Sequence, residues 1–158
     1  LEQYVDKTLK LIIAKPLWSE AMDTNNIETF EPDLITIQDN KFIILDAKYY
    51  CPKFENNQIS RQPGIESITK QYMYQLAFKE FIEVHNLNVK NCFLYPADDV
   101  VDFEENKYCY NKGTVKLEIL DILNVGLLPI ENKFLQASTL YNHYLSNTII
   151  QDFNKIGL

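Results

Sequence analysis

Three residues in the first third of the chain stand at a spacing that supports hydrolytic chemistry. Asp33 is followed, after twelve residues, by Asp46 and then by Lys48. The polar pair Asp39-Asn40 lies midway, between two segments rich in β-branched and aromatic residues, which predicts a β-hairpin with a two-residue turn. In that register Asp33 lies directly opposite Asp46 on the neighbouring strand.

Opposed carboxylates of this kind need a positive charge between or beside them. Directly opposed side chains share one face of a sheet, with Cβ atoms about 4.5 to 5.5 Å apart, so Asp33 and Asp46 repel each other. Mg²⁺ prefers oxygen ligands and commonly takes one or two carboxylates, which offsets the repulsion. Lys48 shares the face of Asp46, whereas Ala47 and Leu45 point into the opposite layer. The cluster predicts metal-assisted phosphodiester hydrolysis, with Lys48 positioning or deprotonating the attacking water.

A third carboxylate often completes such a metal site. Glu20 is the leading candidate and Glu31, next to Pro32, is the alternative; either is equally well explained as a surface acid. A D-x-K pattern on a strand also occurs on solvent-facing surfaces, but the opposed Asp33 favours the catalytic interpretation.

The composition is typical of one globular domain. The chain has 158 residues, of which 46% are hydrophobic and 23% charged. Its formal net charge of −7 argues against attraction to DNA over the whole surface. The acidity is uneven, because residues 40–79 carry six basic and three acidic side chains, or +3, which leaves −10 for the remainder.

Several classes of protein are disfavoured by what the sequence lacks. No apolar run has the length of a membrane-spanning helix and the first residues show no signal-peptide pattern, so we expect a cytoplasmic protein. Three cysteines without a CxxC pair and two histidines without ligand spacing support neither a disulfide framework nor a zinc site.

Hydrophobic periodicity predicts an α/β fold with a mixed sheet. Helices are predicted over residues 1–14, over 67–85 with Ser67 as N-cap, and from Ser138 onward. Strands are predicted over residues 34–37, 42–45, 89–95, 114–120 and 133–136. Residues 51–64 and 98–105 are predicted to be surface loops.

These motifs, taken together, resemble a known family. Pro32-Asp33, the run from Asp46 to Tyr49 and the segment 64–78 (GIESITKQYMYQLAF) resemble the PD-(D/E)xK nucleases. More narrowly, the chain is similar to the LlaJI family of restriction endonucleases, relatives of the McrC nuclease subunit. Residues 90–94 and 141–145 extend the resemblance over most of the chain.

The resemblance implies a fold, an activity and partners. The fold is a restriction-endonuclease-like core, α/β with a central mixed β-sheet flanked by helices, formed by residues 1–158 as a single nuclease domain of a longer chain. The activity is type II-like cleavage of double-stranded DNA with Mg²⁺, for which Mn²⁺ substitutes. The implied partner is a McrB-like AAA+ GTPase, as a separate subunit or protein region, and GTP is used only through this partner. A double-strand break calls for a dimer or higher assembly.

The resemblance also assigns roles to residues. Asp33 and Asp46 match metal ligands and Lys48 the catalytic lysine. Related nucleases carry a Gln followed four residues later by a Tyr on the next helix; Gln75 matches the Gln, but Lys79 stands in place of the Tyr.

Further residues are predicted to contact the substrate. Gln71 lies one helical turn before Gln75, and both amides face one side of the helix, where they could orient Lys48, a water or a DNA phosphate. Lys53, Arg61 and Lys70 of the basic segment, with Gln71, are the predicted DNA-binding residues. Tyr49 and Tyr50 follow the lysine, and their strand propensity favours packing over DNA contact.

Two alternative functions use the same fold. One is a non-catalytic scaffold that docks a partner, which the joint presence of Asp33, Asp46 and Lys48 disfavours. The other is a DNA-processing exonuclease, a class that often holds an iron–sulfur cluster; the scattered cysteines argue against it.

Overall fold

A computed structural model describes residues 9, 12, 13, 31–97 and 109–146. The strands in these ranges are β1 (Leu34–Gln38), β2 (Lys41–Ala47), β3 (Lys53–Glu55), β4 (Gln58–Ser60), β5 (Asn88–Ala97), β6 (Cys109–Val115) and β7 (Ile130–Gln136). The helices are α1 (Ile65–Ala77), α2 (Lys79–Val84), α3 (Glu118–Ile122) and α4 (Ala137–Leu145). None of these described helices is both long and apolar enough to cross a membrane.

The central sheet is mixed and has the strand order β1-β2-β5-β7-β6. The three inner strands β2, β5 and β7 run parallel, and β1 and β6 pair antiparallel at the two sides. The predicted class, an α/β core with a central mixed sheet flanked by helices, is therefore confirmed. The carboxyl ends of β2, β5 and β7 meet at one edge, with the start of β6 beside them, and we call this the carboxyl edge.

The first hairpin has the predicted register. Leu34 pairs with Leu45 and Gln38 with Lys41, so a two-residue turn joins the strands. Asp39 and Asn40 both adopt positive φ angles, of 48° and 61°. A turn with both central residues in the left-handed region matches the twist of antiparallel strands, which is why short polar residues occupy it.

Residues 51–64 form a second hairpin rather than the predicted loop. Strands β3 and β4 pair antiparallel around Asn56 and Asn57, whose φ angles of 50° and 60° repeat the turn conformation of the first hairpin. The loop prediction was wrong because each strand is only three residues long and exposed. Pro52 and Pro63 outside the hairpin also indicated a loop.

Helix α1 lies on one face of the sheet and supplies much of the core there. Phe42 and Ile44 of β2 pack with Tyr74 and Phe78, and the Phe42 and Phe78 ring centroids are 5.1 Å apart. Leu9 and Ile13, from the predicted first helix, are buried in the same cluster. Ile12, from the same predicted helix, is exposed. The other residues of that helix and the 98–105 loop lie outside the described residues.

Other predicted boundaries differ from the structure. The long helix begins at Ile65 with Gly64 as N-cap, and Phe78 separates it from α2. Ser67 is therefore not the cap; it lies inside α1, where its hydroxyl accepts a hydrogen bond from Lys48. Strand β5 extends beyond residue 95, where the predicted strand ended, and includes Pro96, which pairs with Leu135.

The strand predicted over residues 114–120 was placed too late in the chain. Strand β6 ends at Val115, and residues Glu118–Ile122 form a short helix. Gly113 has a φ of +78° and lies at an irregularity in the pairing of β6 with β7. The predicted and observed strands therefore share only residues 114 and 115.

Substituting Phe78 tests the contact between α1 and the sheet. Phe78→Ala removes a ring that is 1% exposed, and we expect it to lower the free energy of unfolding by about 3 to 5 kcal/mol. Leu76→Ala, two residues away but 37% exposed, is the control and should cost about 0.5 kcal/mol. Denaturant unfolding measures both, and equal effects would contradict the packing described.

Candidate active site

The hairpin brings the two predicted carboxylates together. Asp33 immediately precedes β1, and extending the strand register by one residue places it opposite Asp46. Its Oδ2 accepts a hydrogen bond of 2.9 Å from the backbone N–H of Ala47. This bond fastens the Asp33 carboxylate to the end of β2, next to the side chain that it opposes.

The surroundings of Asp46 disfavour the ionised form of its carboxyl group. Partial burial raises the pKa of its carboxyl above the ordinary value, and Lys48 partly opposes that shift. The negative charge of the neighbouring Asp33 raises the pKa of Asp46 further. A cation bound between the two carboxylates would favour their ionised forms and so lower the raised pKa of Asp46.

Lys48 is held from three directions. Its Nζ lies 2.5 Å from Asp46 Oδ2, donates to Ser67 Oγ at 3.3 Å, and stands 5.2 Å from the centre of the Phe93 ring. Its backbone N–H donates to the Leu94 carbonyl at 2.8 Å, which continues the parallel pairing past the end of β2. The ammonium group is therefore fixed beside the carboxylates.

A cavity of about 230 Å³ opens beside this cluster. Its lining combines charged, hydroxyl and amide side chains: Asp46, Lys48, Glu66, Ser67, Lys70, Gln71 and Tyr74. Gln71 is 1% exposed and its Nε2 donates to the Cys92 carbonyl at 3.3 Å. Its Oε1 has no hydrogen-bond partner within the described part of the chain. A buried acceptor of this kind is costly unless it meets a donor, such as a water or a ligand group.

Gln75 lies outside the cavity. With its oxygen turned toward the Leu128 N–H, its side-chain amide accepts from that N–H at 2.7 Å and donates to the Leu128 carbonyl at 3.2 Å. Gln75 also lines a separate cavity with Lys79. Gln71, and not Gln75, therefore lines the same cavity as Lys48. Both glutamines lie on the same side of α1, so sequence spacing could not separate them.

The predicted DNA-binding cations lie in two places. Lys70 lines the cavity, with its Nζ 5.8 Å from the centre of the Tyr74 ring. The Tyr74 hydroxyl, and then the charges of Asp46 and Asp33, raise the pKa of Lys70. Lys53 and Arg61 line a separate and larger groove on the second hairpin.

Three residues of the cavity, one of them Tyr74, were missed by sequence reasoning. Ser67 was taken for a helix cap, and Glu66 was not considered for the site. Both lie in the first turn of α1, which points at the end of β2. A short polar pair at the start of the helix that follows a D-x-K strand was the available signal.

Asp33 and Asp46 are the residues able to hold a metal ion. The described ranges contain no group of three or more His, Cys, Asp or Glu side chains arranged around one point. Mg²⁺ is nonetheless commonly bound by one or two carboxylates with water and phosphate completing its octahedron, so the pair fits this ion. Glu20 lies outside the described residues, and Glu31 is exposed at the entrance to β1.

Tyr49 and Ala47, at the end of β2, are more exposed than the sequence predicts. Tyr49 is 99% exposed, so the prediction that it packs in the core was wrong. Tyr50 is 39% exposed, and its ring centroid lies 6.4 Å from that of Tyr95. Ala47 is also exposed, although Leu45 is buried in the opposite layer as expected. The reason is that layer packing ends at the carboxyl edge.

Comparison with known proteins agrees with this geometry. The family model described as LlaJI restriction endonuclease matches residues 2–133. The chain belongs to the LlaJI restriction endonuclease family. It is 31% identical over 154 residues to the type II restriction enzyme BsuMI component YdjA of Bacillus subtilis strain 168. The match covers 93% of this chain and 30% of that relative. No solved structure matches the chain significantly.

Substituting Asp33 tests the repulsion between the carboxylates. Asp33→Asn keeps an oxygen that can accept from Ala47 but removes the charge, so we expect the pKa of Asp46, followed by NMR, to fall. A carboxyl with a raised folded-state pKa makes the metal-free protein lose stability as pH rises through the ordinary carboxyl range. The variant should therefore lose less stability than the wild type between about pH 4 and about pH 7.

The control is Glu55→Gln, which removes an exposed carboxylate on β3. It should leave the pKa of Asp46 and the pH dependence of unfolding unchanged. An Asp46 pKa that stays the same in Asp33→Asn would contradict the proximity of the two carboxylates.

Proposed function

We propose that this chain is the Mg²⁺-dependent nuclease domain of a longer restriction endonuclease that cuts double-stranded DNA. The observation that carries the proposal is the apposition of Asp33 and Asp46 beside the fixed ammonium group of Lys48. Membership of the LlaJI family supports the nuclease class. The chain spans about 30% of the length of the curated relative it matches, in keeping with one domain of a longer protein.

Each residue of the cluster has a task in this proposal. Asp33 and Asp46 hold Mg²⁺, with Mn²⁺ able to substitute, and the bound ion polarises the phosphate and lowers the pKa of the attacking water. Lys48 orients that water and stabilises the negative charge that develops on the phosphate. Ser67 and Phe93 keep Lys48 in place for that task.

Two residues of α1 complete the substrate site. Lys70 lies on the rim of the cavity, where its charge attracts a phosphate of the strand being cut. Gln71 offers its unpaired Oε1 to the attacking water as a hydrogen-bond acceptor. Gln75, by contrast, acts through the packing of α1, because its amide is bound to the Leu128 backbone.

In this proposal, cleavage of both DNA strands requires two copies of the nuclease and a GTPase partner. One site of this kind cuts one strand, so we propose that two copies act together in a double-strand break. A McrB-like AAA+ GTPase, as a subunit or region, delivers the nuclease to DNA in this proposal. The net charge of −7 supports delivery by a partner, because the chain as a whole repels a polyanion. The word component in the name of the relative YdjA is consistent with an assembly.

Variants of the cluster test the chemistry. Asp46→Ala removes a metal ligand and Lys48→Ala removes the ammonium group, and we expect either to lower the rate of DNA cleavage by at least about a hundredfold. Cleavage of a supercoiled plasmid by the full-length protein with its partners measures this. Chelation of divalent ions should stop the wild type, and added Mg²⁺ or Mn²⁺ should restore it.

The matched control is Lys116→Ala. Lys116 is an exposed lysine whose ion pair with Asp121 lies away from the carboxyl edge, so cleavage should be unchanged. Circular dichroism should show that all variants keep the fold. Undiminished cutting by Asp46→Ala or Lys48→Ala would exclude this site. A wild-type protein that binds its partner but never cuts DNA would be a scaffold.

The dependence on a GTPase is tested separately. In a mixture of the full-length protein, its AAA+ partner and plasmid DNA, we expect cleavage with GTP and none with a non-hydrolysable analogue. The Lys48→Ala protein should leave GTP hydrolysis intact while cutting is lost. Equal cutting with and without nucleotide would exclude the partner but would leave the nuclease assignment standing.

A further inference from the structure

A second concave surface lies at the carboxyl edge, beside the cavity that holds Asp46 and Lys48. It is a groove of about 660 Å³ between the second hairpin and the ends of the sheet strands, and we call it the aromatic groove. Its lining is Tyr49, Tyr50, Cys51, Pro52, Lys53, Phe54, Glu55, Arg61, Pro96, Ala97, Tyr110, Lys112 and Phe134. None of these residues is part of the cluster at Asp46, so the groove has no task in the hydrolysis described above.

Aromatic rings form the walls of this groove. Tyr110 stacks on Phe134, with ring centroids 5.0 Å apart and an angle of 23° between the planes. Phe54 of the hairpin meets Phe134 nearly edge-on at 6.3 Å, yet remains 37% exposed. Tyr49 and Tyr50 extend the aromatic surface toward the cavity. The groove thus presents several ring faces to solvent at one place.

Cations line the same groove. The groove is lined by three cationic side chains, Lys53, Arg61 and Lys112, and by one acidic side chain, Glu55. Its local charge is therefore positive, whereas the net charge of the whole chain is negative. In residues 31–97 and 109–146 none of the three cations forms an ion pair, and Lys112 lies 4.9 Å over the ring of Phe54. Cations without carboxylate partners beside aromatic faces complement a ligand that has both negative charge and flat rings.

We propose that the aromatic groove binds an unstacked nucleotide of the DNA strand that is being cut. Its base stacks on the rings of Phe54 and Tyr49, and its phosphates contact Lys53, Arg61 and Lys112. The inference rests on the proposed nuclease function and deepens it, because it specifies that the substrate is locally unpaired near the cleavage point.

The form of the groove favours an unpaired nucleotide over an intact duplex. Bases in a duplex are stacked on one another, so their flat faces cannot reach rings that lie inside a groove. Phosphates of a duplex would engage the three cations but would leave the aromatic walls without a ligand. Single-stranded binding surfaces, by contrast, combine a cationic groove with stacking rings.

The groove and the cavity that holds Asp46 are lined by consecutive residues at one point of the chain. Lys48 lines the cavity and the next residue, Tyr49, lines the groove. In this proposal a strand with one phosphate at Lys48 places a neighbouring nucleotide in the groove.

The test compares single-stranded with duplex binding. Fluorescence anisotropy of the full-length protein in the absence of divalent ions, with a labelled thymidine oligonucleotide and a labelled duplex of equal length, gives the ratio of the two affinities. We expect Phe54→Leu and Tyr49→Ala each to lower the preference for the single strand by about tenfold, the loss of one stacked base. Arg61→Gln should weaken both probes, because it removes a phosphate contact.

Tyr141→Ala is the matched control, since Tyr141 is another exposed tyrosine, on α4, that does not line the groove. It should change neither affinity. An unchanged preference in both Phe54→Leu and Tyr49→Ala would overturn the proposal, as would loss of binding to the GTPase partner with DNA binding intact. If Phe54→Leu and Tyr49→Ala lose the preference for single-stranded DNA while Asp46→Ala still cuts DNA, the groove is supported and the proposed nuclease site is excluded. If they keep that preference while Asp46→Ala no longer cuts, only the groove is excluded.

Discussion

The structure at the carboxyl edge depends on one constraint, the register of the first hairpin. A two-residue turn with both residues in the left-handed region fixes which side chains lie opposite each other across β1 and β2. A slip of one residue would turn Asp33 to the other face of the sheet and separate it from Asp46. The buried side chains Ile35, Phe42 and Ile44 enforce this register, because the slip would separate them from the core cluster that they form with Tyr74 and Phe78.

The apposition of the carboxylates is destabilising in the metal-free protein, and its neighbours limit the cost. The Ala47 N–H donates to Asp33, and the ammonium group of Lys48 neutralises part of the charge on Asp46. Phe93, packed in the layer below, keeps Lys48 from swinging into solvent. Two features remain uncompensated in the described residues: the raised pKa of Asp46 and the buried Oε1 of Gln71, which has no hydrogen-bond partner there. Both residues line the same cavity.

The parallel order of β2, β5 and β7 collects these features at one edge. Parallel strands end on the same side of a sheet, so the loops that follow them are neighbours even when they are far apart in the chain. The cavity that holds Asp46, the second hairpin and the aromatic groove all lie at this edge. The basic segment 40–79 supplies most of the lysine and arginine that line the cavity and the groove, and the acidic remainder lies elsewhere in the sequence.

The sequence by itself determined the hairpin, the opposition of Asp33 and Asp46, the position of Lys48 and the α/β class. These follow from turn chemistry and strand alternation, which act over a few residues. Only the tertiary structure decided that Gln71 rather than Gln75 lines the cavity, that Ser67 holds Lys48, and that Tyr49 is exposed. Those outcomes depend on how far α1 reaches along the sheet and on where its layers end, and both are set by packing between segments distant in the chain.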